Sequence, residues 1–323
     1  MKAGEEAGVS QHHQKHCRAP RWCQLPLQSH TRRVQSQPDT TPSSTTPSSF
    51  NMSPPGTTPA PRPPLKIAIL LNSYRSPFIA EIRDSYLRAL AAVDPSCTPS
   101  FFYPADKPTH LFPDPSAFDL IVIGGGNADP RKRHAWILAV HAFILDVVAR
   151  QQQQGHAPVA KLCGICWGHQ TISMLFGGEV GDMDVPELGV TESKLTPLGQ
   201  RFFHHHYTRL GHGGGGAGTV RLQQHHRREV RSPPKGFHEL IAGRQAFLSH
   251  SNAILTFQGH PEKDARTAKL RVRDAARWYG MDVGDARAMG ELVGRMEVEH
   301  DGLEVWRGIL RWVGEGTGGG GRL

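Results

Sequence analysis

Cys166 stands at the centre of Gly164-Ile165-Cys166-Trp167-Gly168. An apolar stretch, Pro158 to Cys163, runs into it, and a second, Thr171 to Phe176, follows at once. The pattern predicts a strand, a sharp turn and a helix, with a nucleophile-type residue at the apex. G-x-C-x-G spacing is the cysteine form of a nucleophile elbow. Backbone at such an apex is strained and closely packed, which calls for small flanking residues. The sulfur also sits at a helix start, where the positive end of the dipole favours thiolate. Two other readings compete. Cys163 and Cys166 form a C-x-x-C, the spacing of a redox pair or half a zinc site, and both cysteines could be inert core residues. No second ligand pair at regular spacing is visible. The pair also lies mid-chain, after two strand–helix units, whereas a redox pair usually opens a helix near the start of a small domain.

A cysteine nucleophile needs a base for its proton and an acid to orient that base. Downstream, the β-rich run Ile254-Leu-Thr-Phe257 ends in Gln-Gly-His260-Pro261-Glu262. His260 and Glu262 can supply both roles from one loop. Taken alone, the tripeptide equally suits a strand end followed by a helix with proline at its first position and an acid in its first turn.

Together, Gly164-Ile-Cys166-Trp-Gly-His-Gln170 and Gly259-His260-Pro-Glu262 resemble the class I glutamine amidotransferases, in particular the stand-alone type similar to GMP synthase amidotransferases. The resemblance runs from Leu65 to Trp278. It implies a Cys166–His260–Glu262 triad that hydrolyses the side-chain amide of glutamine through a γ-glutamyl thioester. It also implies that Gly125, or next Gly126, supplies one oxyanion-hole N–H and Trp167 the other; a tetrahedral oxyanion needs two preset backbone donors. Gln170 resembles a residue that contacts the substrate. His225-His226-Arg227-Arg228-Glu229-Val230 resembles the segment that holds the glutamine backbone, which adds His226, Arg228 and Glu229 as substrate-binding candidates. Many relatives carry an acid where this chain has Arg228. Glu229 is the candidate to replace it, with Arg228 expected to face solvent from a loop; an inward Arg228 would instead repel the α-ammonium and favour a carboxylate. The implied activity is glutaminase, with ammonia passed to a separate accepting enzyme, because the sequence contains neither a synthetase domain nor an ATP-binding P-loop. A γ-glutamyl peptidase and a catalytically silent binding domain are the alternatives. No cofactor and no metal are called for.

The surrounding elements fit that chemistry. Leu65–Leu71 reads as a strand buried on both faces. Ser76-Pro77 predicts a helix start, with Ile79, Ile82, Tyr86, Leu90 and Val93 on one face. Short strands follow at Phe101–Tyr103 and Phe118–Ile123, the latter running into Gly124-Gly125-Gly126, and then a helix over Arg133–Arg150. Alternating strands and helices imply a mostly parallel sheet covered on both faces, an α/β, flavodoxin-like architecture with active residues at the carboxyl ends of the strands. Beyond Phe176 the pattern turns to short strands: Gly189–Leu195, Val220–Gln224, Glu239–Ala242, Ala246–Ser249 and Ala253–Phe257. These predict a small antiparallel extension plus the last core strand. Between them, His204–His206 and Gly211–Gly218 read as a solvated insertion rather than a metal site. Asp264–Tyr279 and Met289–Val313 predict two or three helices, whose apolar face at Trp306, Ile309, Leu310 and Val313 is read as packing on the core rather than on a partner.

The expected organisation is a disordered tail over 1–64, an amidotransferase-like domain over 65–280, and a helical extension with a flexible end over 281–323. Of the formal charge of +8, the first 64 residues, with seven Lys/Arg and three Asp/Glu, supply +4. The remainder is spread thinly, without the clustered basic patch of a nucleic-acid binder. Five cysteines in 323 residues make no disulfide framework, and no apolar run reaches membrane-span length. A cytoplasmic location is expected. The tail's arginines also fit a mitochondrial transit peptide, although Trp22–Leu27 is its sole apolar patch; a start at Met52 is a further alternative.

Overall fold

The computed structural model describes residues 63–106, 112–153, 159–207, 218–270, 272–278, 280 and 282–315. The tail read over 1–64 lies outside the described residues apart from Pro63 and Pro64, as do 208–217 of the insertion and the glycine-rich end from 316. The first half of the chain gives β1 (Lys66–Leu70), α1 (Ile79–Val93), β2 (Thr98–Phe102), β3 (Leu120–Ile123), α2 (Ala135–Gln152), β4 (Lys161–Ile165) and α3 (Trp167–Leu175). The second half gives β5 (Glu179–Lys194), α4 (Pro197–Tyr207), β6 (Thr219–Ser232), β7 (Phe237–Ile241), β8 (Ala246–Ser249) and β9 (Ile254–Phe257). Helices α5 (Ala265–Leu270), α6 (Val272–Trp278), α7 (Ala286–Glu297) and α8 (Gly302–Val313) complete it.

Seven strands form one sheet in the order β2-β1-β3-β4-β9-β8-β7. The five from β2 to β9 run parallel, and β8 and β7 pair antiparallel at one edge. Alternation along the strands feeds two cores. Ile67, Ile69, Val122, Cys163 and Ile165 pack on one face with Tyr86 of α1, Phe203 of α4 and Trp306 of α8. Ala68, Leu70, Ile121, Ile123 and Leu162 pack on the other with Ile137 and Val140 of α2 and Trp167 and Ile172 of α3. Because β1, β3, β4 and β9 are buried on both sides, they read as unbroken apolar runs in the sequence. Helix α8 packs on this core as expected: Trp306 and Trp312 are fully buried. The buried Lys161 Nζ donates to the Trp312 carbonyl at 2.7 Å, near the end of α8.

The structure departs from the sequence reading in four places. After Asp264 it forms four helices, α5 to α8, where two or three were expected. Ser76 does not cap α1. Its Oγ accepts from the Phe78 N–H at 3.3 Å, closing a local turn, and the helix begins at Ile79; a serine that bonds two residues ahead competes with its own capping role. The short strands read at Gly189–Leu195 and Val220–Gln224 are parts of β5 and β6, which form a long ribbon separate from the main sheet. Their polar composition hid its length. His204–His206 fall in α4, not in a loop. Partway along the ribbon the register jumps, with Asp182 opposite Arg228 but Glu187 opposite His226. This bulge concentrates twist and bend beside the cleft described below. No described helix is long and apolar enough to cross a membrane.

Helix α3 crosses β3 so closely that a Cβ on Gly168 would stand 1.9 Å from the Ile123 carbonyl oxygen. Gly290, exposed within α7, has open space around it. Gly168→Ala is therefore expected to destabilise the protein by about 2 kcal/mol or more in urea unfolding. Gly290→Ala should stabilise it by about 0.5–1 kcal/mol. Equal effects from the two substitutions would contradict the close crossing.

Candidate active site

The turn from β4 into α3 places Cys166 at φ +51°, ψ −97°. For a non-glycine residue this backbone is costly and persists only where its surroundings impose it. Here they do. The Cys166 N–H donates to the Phe257 carbonyl on β9 at 2.8 Å, and its carbonyl accepts from Gln170 N–H at 3.0 Å, starting α3. A Cβ on Gly164 would meet the Gly168 carbonyl carbon at 2.8 Å. Both flanking glycines are thus required by contact, as the spacing predicted.

His260 follows β9. Its N–H donates to Gln223 O on the ribbon at 2.9 Å. Its Nδ1 lies 2.7 Å from Glu262 Oε1. A carboxylate only accepts, so Nδ1 carries the proton, and Nε2 is buried without a hydrogen-bond partner among the described residues. Cys166, His260 and Glu262 are all buried, at 5%, 6% and 4% exposure. Burial pushes the Cys166 thiol up, but His260, and after it Lys263, more than reverse this and leave it below the ordinary thiol value. Burial and then Lys263 depress His260, yet Glu262 and Cys166 outweigh them and raise it. Burial raises Glu262, and His260 pulls it below the usual carboxylate range. Each of the three shifts runs in the direction that favours the charged form of its group.

Cys163, by contrast, sits fully buried in the apolar core, where burial and then Glu262 raise its thiol far above the ordinary range. Both cysteines are free thiols. A thiol so placed is inert. Among the described residues no cluster of three His, Cys, Asp or Glu is arranged to hold a metal.

A cavity of about 120 Å³ opens on Cys166 and His260. Gly125 and Gly126, in the turn after β3, line it. The turn passes so close that a Cβ on Gly125 would stand 2.9 Å from His260 Cε1 and 3.8 Å from Cys166 Cβ. Trp167 is fully buried as the first residue of α3, its ring stacked 5.5 Å from that of Trp136. Gln170 lines the cavity, with Nε2 donating to Arg228 O at 2.7 Å and Gln258 Oε1 at 3.2 Å. His226 also lines it, but its ring nitrogens face Arg228 O at 3.0 Å, Gln224 Oε1 at 3.1 Å and Glu187 Oε2 at 3.0 Å. It braces the ribbon.

Two substrate-binding expectations are corrected. Arg228 does not face solvent from a loop. It lies on β6 and lines the cavity, and its Nη2 donates to Ala128 O at 2.9 Å and Asn127 O at 3.4 Å. Glu229, the next residue on the strand, is not among the cavity-lining residues; its Oε1 lies 3.8 Å from Arg231 Nε. On this strand Arg227 and Arg228 both line the cavity and Glu229 does not, so Glu229 does not take over the position of Arg228. Sequence reasoning also missed Lys263 and Asn72. Lys263 is buried and lines the cavity. Its position directly after Glu262 was the available signal. Asn72 Nδ2 donates to Gly124 O at 3.1 Å and Leu70 O at 3.2 Å, tying the glycine turn to the end of β1; only its place just beyond the first strand pointed to it.

Known proteins place this geometry in context. The model of the class-I glutamine amidotransferase family matches residues 82–278. Glutamine amidotransferase-like protein chyE of Penicillium rubens is 30% identical over 254 residues, covering 78% of this chain and 98% of that protein. A glutamine-hydrolyzing GMP synthase subunit of Sulfolobus acidocaldarius is 30% identical over 156 residues, covering 45% of this chain and 68% of that one. A solved glutamine amidotransferase structure from Thermotoga maritima matches with a TM-score of 0.57 at 16% identity, over 78% of this chain and 99% of that one, a likeness of fold that makes the architecture flavodoxin-like. With the family match spanning more than half of its length, the chain belongs to the class-I glutamine amidotransferase family.

Proposed function

We propose that the protein hydrolyses a γ-glutamyl amide through a thioester on Cys166, with glutamine as substrate and ammonia as the released product. The observation that carries this reading is the 2.7 Å His260–Glu262 contact beside a cysteine held at positive φ. The Cys166 thiolate attacks the γ-carbonyl carbon. The resulting oxyanion is received by backbone N–H groups of the Gly125–Gly126 turn and Trp167. His260 gives its Nε2 proton to the departing nitrogen as the carbon–nitrogen bond breaks, leaving the thioester and neutral His260. His260 then takes a proton from water, the hydroxide adds to the thioester, and collapse expels the thiolate and frees glutamate. Glu262 keeps the imidazole in the required tautomer throughout. A reducing, cytoplasmic setting keeps Cys166 a thiol. The name of the archaeal relative, part of a glutamine-hydrolysing synthase, supports a separate enzyme as the recipient of ammonia.

A second reading, a γ-glutamyl peptidase, is favoured by the charges of the cavity. Arg227, Arg228 and Lys263 line it, and among the described residues its one lining carboxylate, Glu262, is bonded to His260. Such a lining offers no anion to an α-ammonium group and suits a leaving group that carries a carboxylate.

Three outcomes are expected. Cys166→Ala should abolish glutamate release from glutamine and from γ-glutamyl dipeptides, while Cys163→Ala retains it; activity that survives Cys166→Ala would refute the mechanism. The pH dependence of iodoacetamide alkylation should place the Cys166 titration below the ordinary thiol value of 9.0. In His260→Ala the burial penalty is left without its largest opponent, so the midpoint should move above that value, and an unmoved midpoint would dissolve the ion pair. Finally, Lys263→Gln should shift the ratio of kcat/KM values at least about tenfold toward glutamine and away from a γ-glutamyl dipeptide if the lysine reads the extra carboxylate, a change of about 1.4 kcal/mol. An unchanged ratio leaves glutamine as the substrate.

A further inference from the structure

The glycine turn after β3 is tied at both ends, and Asn127 Nδ2 adds a bond to Tyr74 O at 3.0 Å. At its near end Gly124 N–H donates to Leu70 O at 3.0 Å, and Asn72 Nδ2 donates to Gly124 O at 3.1 Å. At its far end the Arg228 guanidinium donates to Ala128 O at 2.9 Å and Asn127 O at 3.4 Å. Gly125 and Gly126 lie between these anchors and have no side chains to hold them in place. The main chain of Arg228 is committed as well, its carbonyl accepting from Gln170 Nε2 at 2.7 Å and from His226 Nδ1 at 3.0 Å. One residue therefore touches the glycine turn, the ribbon, and the helix that starts at the nucleophile. Both bonds come from the one nitrogen, Nη2, so a lysine ammonium placed there could make part of the same contact. Acidic neighbours lie close by: Arg131 Nη2 is 2.8 Å from both Asp129 and Asp182, and Asp182 stands opposite Arg228 in the strand register of the ribbon.

We propose that Arg228 is a positioning residue, clamping the far end of the Gly124–Ala128 turn so that its backbone N–H groups are preset for the oxyanion. The clamp rests on the hydrolase reading for its purpose, though not for its existence. On this account Arg228 acts on the loop rather than on the substrate. A misplacement of about 1 Å near reacting atoms costs on the order of a hundredfold in rate, so the effect belongs in kcat. Iodoacetamide alkylation, which needs the thiolate but passes through no oxyanion, should be indifferent to it.

The test uses the full chain with Arg228→Met and Arg228→Lys. Three quantities are read: steady-state kinetics on glutamine and a γ-glutamyl dipeptide, the alkylation rate of Cys166, and hydrogen exchange of the amides in 124–128. Arg228→Met should lower kcat about 30- to 100-fold with KM changed less than about threefold. Alkylation should match wild type. Exchange in 124–128 should quicken while that of β4 stays put, and Arg228→Lys should recover part of kcat. A raised KM with kcat intact would assign Arg228 to substrate binding and overturn the proposal, as would unchanged exchange in the turn or an alkylation rate that falls with kcat. If Arg228→Met does not fold, Arg228→Lys carries the same readings, and wild-type kcat and exchange in that variant contradict the clamp. A wild-type protein that hydrolyses neither substrate sinks the hydrolase reading alone, and exchange in the turn still decides the clamp.

Discussion

The positive φ of Cys166 is the constraint on which the rest of the site depends. Holding a β-carbon-bearing residue there costs on the order of 1–3 kcal/mol, and the cost is met by the strands on either side. Strand β4 lies between β3 and β9. From β9, the Phe257 carbonyl fixes the Cys166 amide. From β3, the Ile123 carbonyl comes so near Gly168 that only glycine fits. The same two neighbours deliver the other parts at their carboxyl ends: the glycine turn after β3, and His260 and Glu262 after β9. A parallel sheet aligns those three ends automatically, which is why residues nearly a hundred positions apart in the chain can meet with little further machinery.

Burial then sets the chemistry. A thiol removed from water resists ionisation, and burial is the largest single influence on Cys166. The histidine and the lysine beside it reverse that preference. The opposite balance operates at Cys163, three residues earlier on β4, where burial dominates and Glu262 adds to it. The two cysteines differ little in sequence context and greatly in electrostatic environment, and the difference is made by residues near His260, far away in the chain. The ribbon adds a further layer. It supplies His226 and Arg228 to the cavity and ties them to Gln170 and to the glycine turn, so that the cavity floor, wall and rim share one hydrogen-bonded network.

Much of this was legible in the chain. The parallel core strands are unbroken apolar runs because both of their faces are buried, and the elbow announces itself through glycines that close contact requires. Pairing His260 with Glu262 needed the resemblance to a family, since the tripeptide alone fits an ordinary strand end. What the sequence did not carry was orientation. Arg228 read as an exposed loop residue because two adjacent arginines usually are, yet the β5–β6 pairing turns it inward and leaves Glu229 outside the cleft. Ser76 had the right identity for a cap and used it in a local turn instead. The long ribbon stayed hidden because its strands are polar and bulged, without the alternation that marks a half-buried strand. Lys263 and Asn72 were passed over because their roles come from what folds around them rather than from any spacing.

The central claim is that Cys166 becomes covalently γ-glutamylated during turnover. The most direct measurement is mass spectrometry of the protein quenched in acid during reaction with glutamine or a γ-glutamyl dipeptide, followed by peptide mapping. The account predicts an adduct of one glutamyl group on the peptide carrying Cys166, labile to hydroxylamine and absent from His260→Ala. Substrate consumed without such an adduct under trapping conditions, or an adduct mapped to Cys163, would contradict it.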